Sequence, residues 1–445
     1  SHPDLAANMW INKAEQSGAT GRDDDGNGYA DDVYGYNFAL GTSRLTWDVE
    51  AYDDKGKNVG DSGHGTHVAG TVAAVSNNGV GVSGIAGGTG RNDGVKLMSC
   101  QIFSGGEGGS AAVSAEAIKY AADNGASILQ CSWGYPAGAV TTDNAYASGA
   151  RIEKQAIDYF IATKNNAVLD GGLVIFAAGN DAKAMSGYPG AYRDYISVTA
   201  FSPDYLPAYY TNYGPGCNVA APGGDAYISP SGSSAAQVLS TLPSELYQSD
   251  YGYMQGTSMA CPHVSGVAAL GLSYAVAKGK HYTRNEFISM LLTSVNDMER
   301  YLDGTKESNG TMYLEKYRKQ LGTGAVDAYQ LLMQIEGTPC LKVGVGAEEL
   351  IPLTQFFGGS ATNLTYTDVS MSAADMAKLG IEAAPTMAYG KLKIKCTKSG
   401  VAKITVTAIG GGDKVGTGSV MGGMTITKEF AVIARGVQAG NGGWL

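Results

Sequence analysis

Short apolar runs alternate with helical stretches from Val95 to about Leu332, and this alternation constrains the fold more than any other feature. The runs at 95–100, 127–132 and 173–178 have the length of buried strands, and residues with helical spacing follow the first two. Continuous apolar strands alternating with helices are typical of a parallel sheet covered on both faces. We therefore predict an α/β domain built on a doubly wound, mostly parallel sheet.

The sequence pattern changes near Gly337. Beyond it, strand-like alternation dominates, as at Lys391–Lys395 and 402–407, and glycine-rich turns separate the strands. This pattern favours a small β-sandwich of the immunoglobulin or cadherin type. The chain is thus divided into an α/β domain at 1–336 and an all-β domain at 337–445.

Composition excludes several classes of partner. The net charge of −10 argues against nucleic acid and against an anionic membrane surface, because both attract clustered Lys and Arg. No apolar run has the length expected of a transmembrane helix. None of the six cysteines forms a C-x-x-C pair, so a zinc site is not expected, and Cys340 and Cys396 could pair with each other.

A run of small residues at 256–266, GTSMACPHVSG, leads into a long apolar helical stretch. Ser258 would lie at the start of this helix, where free N–H groups and the helix dipole favour negative charge. The simpler interpretation of such a serine is a helix N-cap. The alternative is a nucleophile whose own N–H helps to bind an oxyanion.

A second motif, DSGHGTHVAGT at 61–71, also opens a helix. Imidazole titrates near neutral pH, so His64 could accept a serine proton and return it to a leaving amine. Each histidine taken alone would more often be a structural, hydrogen-bonded residue. A metal site at His64 and His67 is rejected, because neither a third ligand nor an H-E-x-x-H pattern accompanies them.

The strings at 61–71, 177–181 and 256–266 resemble the histidine, oxyanion and nucleophile motifs of subtilisin-like serine proteases, the subtilases of peptidase family S8. The last match runs over eleven consecutive residues and is highly specific. The resemblance covers about residues 1–335. It implies a subtilisin-like fold and a secreted, extracytoplasmic serine endopeptidase that cleaves peptide or protein substrates through an acyl-enzyme.

The same resemblance assigns roles to individual residues. Ser258 is the expected nucleophile, His64 the general base and Asn180 the oxyanion donor. On the residues alone, Asn180 could equally be a turn residue after a strand.

A substrate groove is implied as well. One wall would be Ser132-Trp133-Gly134, and the opposing edge would include Gly105-Gly106, since glycines suit a peptide that adds as an extra strand. Gly187 and Gly190 would keep the floor of the S1 pocket open for a large P1 side chain. The remaining groove positions are Ala178 and Gly179.

The triad aspartate has no candidate in this sequence. In subtilases it precedes the histidine and serine along the chain, in an Asp-(Ser/Thr)-Gly motif shortly before a string such as His2-Pro3-Asp4-Leu5. Asp4 lies downstream of that position, and Asp61 lies on the wrong side of His64. We expect a docked N-terminal fragment, made by proteolytic processing, to supply the strand and its aspartate. An incomplete sequence and a pseudoenzyme are the alternatives.

An acidic segment at 23–32, DDDGNGYADD, resembles the first half of a calcium loop. The simpler interpretation is a solvated acidic turn. The expected ligands of a structural calcium ion are Asp23, Asp25, Asn27 and Asp31.

Two other functions remain open. A catalytically silent scaffold would keep the groove and bind peptides without cleaving them. An adhesion protein would act through its C-terminal domain.

Overall fold

The computed structural model describes residues 2–46, 63–105, 107–164, 169–228, 232–244, 249–296, 298–353, 365–410, 413–415, 419–421 and 424–435. The chain divides into two compact units, 1–328 and 329–445. The boundary predicted near residue 337 falls at the other end of the helix Ala328–Glu336 and stays a prediction.

Helices account for much of the first unit. The α-helices of the described residues are α1 Lys13–Ser17, α2 His64–Ala73, α3 Ala111–Asp123, α4 Asp143–Gly149, α5 Arg151–Ala162, α6 Thr257–Ala277, α7 Arg284–Thr293, α8 Ala328–Glu336 and α9 Ala373–Leu379. Their starts follow local chemistry: Ser110 caps α3 by accepting from the N–H of Val113, and Thr283 with Glu286 forms a capping box on α7.

Strands fall into several sheets. Those of the first unit are β1 Gly35–Asn37, β2 Ser99–Gln101, β3 Phe103–Ser104, β4 Glu107–Gly108, β5 Ile128–Cys131, β6 Leu169–Asp170, β7 Leu173–Ala177, β8 Ile196–Phe201, β9 Val219–Pro222, β10 Val238–Thr241, β11 Tyr251–Met254, β12 Tyr282–Thr283, β13 Val295–Asn296, β14 Thr305–Ser308, β15 Gly310–Tyr313 and β16 Ala325–Val326. Those of the second unit are β17 Cys340–Gly344, β18 Glu348–Pro352, β19 Thr365–Ser370, β20 Thr386–Ala388, β21 Lys391–Lys395, β22 Gly400–Gly410, β23 Asp413–Val415, β24 Ser419–Met421 and β25 Met424–Arg435.

The main sheet has six strands in the order β13-β16-β9-β8-β7-β5. All neighbours are parallel except β13, which runs antiparallel to β16. Every residue of β7 and β8 is buried, as expected of strands covered on both faces. This sheet confirms the predicted α/β class, and the carboxyl ends of its strands face the site described below.

The sheet is interrupted next to β5. Strand β2 pairs with β1 in a separate parallel sheet, and within the described residues no hydrogen bond joins β2 to β5. All three residues of β2 are half-buried, whereas the β7 strand on the other side of β5 is fully buried. The first unit therefore presents two strand edges, one on β2 and one on β5. Among the described residues, β2 is paired with β1 alone, and β5 is paired with β7 alone.

Helix α6 passes through the core of the first unit. It is the one helix of the described residues that is long and apolar enough to cross a membrane, although the composition had suggested none. Its most apolar window is 67% buried inside the fold, as for the core helix of an α/β domain.

The second unit contains two larger sheets. Strands β17-β25-β22-β19 form one and β18-β21-β20 the other, and both contribute to a single hydrophobic cluster that includes Leu392, Val406 and Phe430. The helix α9 was not predicted. The strands confirm an all-β character for most of the tail, while its likeness to immunoglobulin or cadherin domains stays a prediction.

The suggested pairing of Cys340 with Cys396 is wrong, because the structure places none of the six cysteines in a disulfide. Cys340 lies at the start of β17 with its Sγ 4.0 Å from the carbonyl of Gln330. Cys396 follows β21 and is fully buried in the hydrophobic cluster.

Candidate active site

Ser258 is the second residue of α6, which begins directly after Gly256. Gly256 has φ 147°, a backbone conformation that side-chain-bearing residues rarely adopt. The Ser258 hydroxyl donates to the carbonyl of Ser132 at 3.2 Å, and the Ser132 hydroxyl donates back to the carbonyl of Ser258 at 2.7 Å. The end of β5 and the start of α6 are thus held together by a reciprocal pair of bonds.

Asn180 is tied to the same helix start. Its Oδ1 accepts from the backbone N–H and the hydroxyl of Thr257, both at 2.8 Å. A Cβ added at Gly256 would lie 3.6 Å from Asn180 Nδ2 and 3.6 Å from the backbone nitrogen of Ser258. Two nitrogens that can donate therefore lie near one another beside Gly256, and their role as oxyanion donors stays a prediction.

His64 is the first residue of α2, which packs against α6. Gly63 before it has φ 65°. Burial lowers the pKa of His64, so its imidazole is held in the neutral, proton-accepting form. In the described part of the chain, no hydrogen bond joins His64 to Ser258, whose hydroxyl is turned to Ser132.

The predicted groove segments come together at the carboxyl ends of β5 and β7. The N–H of Tyr135 donates to the carbonyl of Tyr188 at 2.6 Å, and Gly187 donates to the carbonyl of Ala178 at 2.8 Å. A Cβ at Gly134 would lie 3.1 Å from the Tyr188 carbonyl oxygen. The segment Ser132-Trp133-Gly134 therefore lies beside the segment that contains Ala178, Gly179 and Gly187, and the role of these residues as groove walls stays a prediction.

The two glycines predicted at the floor of the S1 pocket lie close to neighbouring atoms. A Cβ at Gly187 would lie 2.5 Å from the Tyr135 carbonyl oxygen, and one at Gly190 would lie 2.9 Å from Phe176 Cβ. Both positions therefore favour glycine, and an open S1 floor stays a prediction.

On the predicted opposing edge, Gly105 lies at the turn of the β3–β4 hairpin with φ 56°. Gly106 lies outside the described residues.

The model of the "Subtilase family" matches residues 1–319, more than two thirds of the chain. The chain belongs to the subtilase family. Among curated relatives, Subtilisin DY of Bacillus licheniformis is 33% identical over 251 residues, 56% of this chain and 76% of its own. The extracellular basic protease of Dichelobacter nodosus is 31% identical over 63% of this chain and 41% of its own.

A solved protease of Pseudoalteromonas arctica is 28% identical with a TM-score of 0.46, over 66% of this chain and 78% of its own. The chain spans less than half of several curated relatives, such as 44% of the M-protease of Shouchella clausii. Family membership confirms the predicted domain class, that of subtilisin-like serine endopeptidases.

Asp4, one of the two aspartates considered for the subtilase triad, is engaged elsewhere. Asp4 is fully buried, and its carboxylate accepts from Asn78 Nδ2 at 2.6 Å and from the N–H of Val82 at 3.1 Å. It anchors the start of the chain. Asp61 lies outside the described residues.

The acidic segment forms a cluster that is not the predicted one. Carboxylate oxygens of Glu15, Asp25 and Asp32 lie within 4.8 Å of one another. Of the predicted calcium ligands, this group contains Asp25. Asn27 donates to Asp25 and Asp32. Asp31 accepts from the N–H of Gly21 instead.

Asp23 accepts from the N–H groups of Gly26 and Gly28, and these bonds hold the pKa of its carboxyl below the usual range. It closes the turn and lies outside the cluster.

Two residues, one in the acidic cluster and one beside Ser132, could not be found from the sequence motifs. Glu15 lies on α1, eight residues before the acidic run, and only the tertiary fold brings its buried carboxylate there. Gln130 on β5 donates to the Ser132 hydroxyl at 3.1 Å, and its Oε1 is buried without a partner among the described residues. An alternating strand residue carries no signal for such a role.

Proposed function

We propose that the protein is a secreted, extracytoplasmic serine endopeptidase that hydrolyses peptide bonds through an acyl-enzyme. The observation that carries the proposal is that Asn180 Nδ2 and the backbone nitrogen of Ser258 lie at the same distance from one position beside Gly256, at the start of the helix that carries Ser258. The extracellular basic protease among its relatives supports the location.

In this mechanism the Ser258 hydroxyl attacks the substrate carbonyl while His64 accepts its proton. His64 then passes the proton to the leaving amine, and a water molecule repeats the sequence to release the acyl group. Asn180 and the N–H of Ser258 bind the oxyanion in both steps. In subtilisin, loss of one such donor lowers turnover about 10²–10³-fold.

The triad also requires an aspartate, and we propose that a separate, docked N-terminal fragment supplies it on an extended strand between β2 and β5. Unpaired strand edges beside a core are costly, because their backbone donors and acceptors have no hydrogen-bond partner within the fold. The buried, unpartnered Oε1 of Gln130 on β5 supports an incoming hydrogen-bond donor at this place.

A fluorophosphonate probe tests the proposed chemistry. Applied to the purified native protein, the probe should label Ser258, and both Ser258→Ala and His64→Ala should abolish labelling. The alternative is a catalytically silent, peptide-binding scaffold, which the Ser258–Ser132 bond favours because the hydroxyl donates its proton to a backbone carbonyl. A folded sample that takes up no probe would decide for the scaffold.

We also propose a structural calcium ion held by Glu15, Asp25 and Asp32. Hard carboxylate oxygens are the donors that calcium prefers, and two of the three residues are buried. The ion would tie α1 to the acidic loop. Chelation should lower Tm in the native protein and leave Tm unchanged in an Asp32→Asn variant. Equal Tm values with and without chelator in the native protein would rule the ion out.

A further inference from the structure

The turn before the nucleophile is fastened to the loop that follows β9. The N–H of Gly256 donates to the carbonyl of Gly223 at 3.0 Å, and the N–H of Ala226 donates to Gln255 Oε1 at 2.7 Å. Residues 223–227 therefore lie directly beside the segment that carries Ser258.

Two tyrosines are held on that loop and its neighbour by one carboxylate. Asp225, which is fully buried, accepts from the backbone N–H of Tyr209 at 3.2 Å and of Tyr227 at 3.0 Å. The two rings meet edge to face with centroids 5.4 Å apart. Gln255 lies three residues before Ser258, and its Nε2 donates to the Tyr209 hydroxyl at 3.4 Å. The tyrosine pair therefore contacts the segment that leads to Ser258.

The carboxylate is itself fixed from the opposite side. Lys306, whose side chain is 3% exposed, lies 3.2 Å from Asp225, and the Ser308 hydroxyl donates to both oxygens of Asp225. The tyrosine backbones are thus anchored to a rigid buried group, while the Tyr227 side chain remains 48% exposed.

The strand order separates the pair from the predicted groove. Ser132 and Asn180 follow β5 and β7 and bond to the start of α6, whereas the tyrosines follow β8 and β9, which are the next two strands of the sheet. With the acyl half of a peptide in the predicted groove at β5 and β7, the residues beyond the scissile bond, which leave with the amine, would extend towards β8 and β9, where Tyr209 and Tyr227 lie.

We propose that Tyr209 and Tyr227 form a subsite for the leaving-group side of the substrate, selective for an aromatic or large apolar side chain. The inference rests on the proposed endopeptidase function. An incoming ring would pack edge to face on Tyr227, because aromatic pairs prefer that geometry and Tyr209 already contacts the exposed Tyr227 ring in the same way.

Matched peptide substrates test this selectivity on the full native protein. Two internally quenched peptides share one acyl half and carry Phe or Ala immediately beyond the scissile bond. A methyl ester of the same acyl half places only a methoxy group there. The native protein should cleave the Phe peptide with a kcat/KM about ten-fold above that of the Ala peptide. Tyr227→Ala should abolish that ratio and leave methyl ester hydrolysis unchanged.

Two controls separate the possible failures. Tyr389→Ala removes a tyrosine that is 94% exposed on the second unit and should keep the native ratio, and Tyr227→Phe should keep it as well. A native protein that cleaves all substrates without preference, or a Tyr227→Ala variant that retains the ratio, overturns the subsite. A native protein that cleaves none of them refutes the proposed function instead.

Discussion

At the scale of single residues, His67 gives the fold a dependence on pH. Its Nε2 faces the carbonyls of Val238 and Gly252 at 3.0 and 3.1 Å, and its buried Nδ1 has no partner in the described residues. Burial lowers the pKa of His67 to about 4. Below pH 6.5 the unfolded chain binds this proton and the folded chain does not, so stability falls as the pH drops from 6.5 to about 4.

The expected loss attributable to His67 is about 3 kcal/mol over that interval. Urea unfolding at several pH values measures it, and a His67→Gln variant should show a shallower decline. His263 has its pKa lowered to about 4 by burial as well, so part of the slope should persist in the variant. Superimposable pH profiles of native and variant proteins would contradict this account.

Ser258 and Asn180 could be predicted because the strings around them resemble the nucleophile and oxyanion motifs of subtilases. The structure bonds Asn180 to Thr257, the residue before Ser258. Glu15 was missed because its carboxylate reaches the acidic loop only through tertiary folding. Asp23 and Asp31 lie outside the acidic cluster, where local N–H groups engage their side chains, and their ligand roles stay predictions.

At the scale of elements, the β14–β15 hairpin depends on one buried charge. Lys306 on β14 lies 3.2 Å from Asp204 and 3.2 Å from Asp225, and it donates to the Pro207 carbonyl at 2.8 Å. Lys306→Met would leave two carboxylates without their counter-charge, and we expect it to lower the free energy of unfolding by about 3–5 kcal/mol.

Urea denaturation provides the measurement, with Lys119→Met as the matched control. Lys119 pairs with Asp123 on the surface of α3 with 63% of its side chain exposed, so its loss should change stability little. Equal effects of the two substitutions would show that the buried charge does not stabilise the hairpin.

Strands with a clear apolar pattern, continuous or alternating, were predicted well. The continuous run at 173–178 corresponds to β7, whose residues are all buried, and the alternating segment Lys391–Lys395 is a strand over the same five residues. Helix α9 was missed, although Ser372 caps it and Gly380 ends it in the left-handed conformation. Its seven residues are too few to display helical periodicity inside a β-rich segment.

At the scale of the whole molecule, the interrupted sheet links folding to catalysis. A strand inserted between β2 and β5 would pair with both edges and would lie against Ser132, whose hydroxyl and carbonyl both bond to Ser258. We infer that the same insertion completes the core and brings the aspartate to His64. The sequence indicated the missing strand only through the order of its motifs, whereas the sheet topology identifies where it would bind.

An intact-mass spectrum of the purified native protein, recorded alongside fluorophosphonate labelling, tests this claim most directly. The account predicts two species in a reactive sample, the chain described here and a smaller polypeptide that contains an Asp-(Ser/Thr)-Gly sequence. A sample whose Ser258 reacts at full rate and whose spectrum contains no second polypeptide would contradict it.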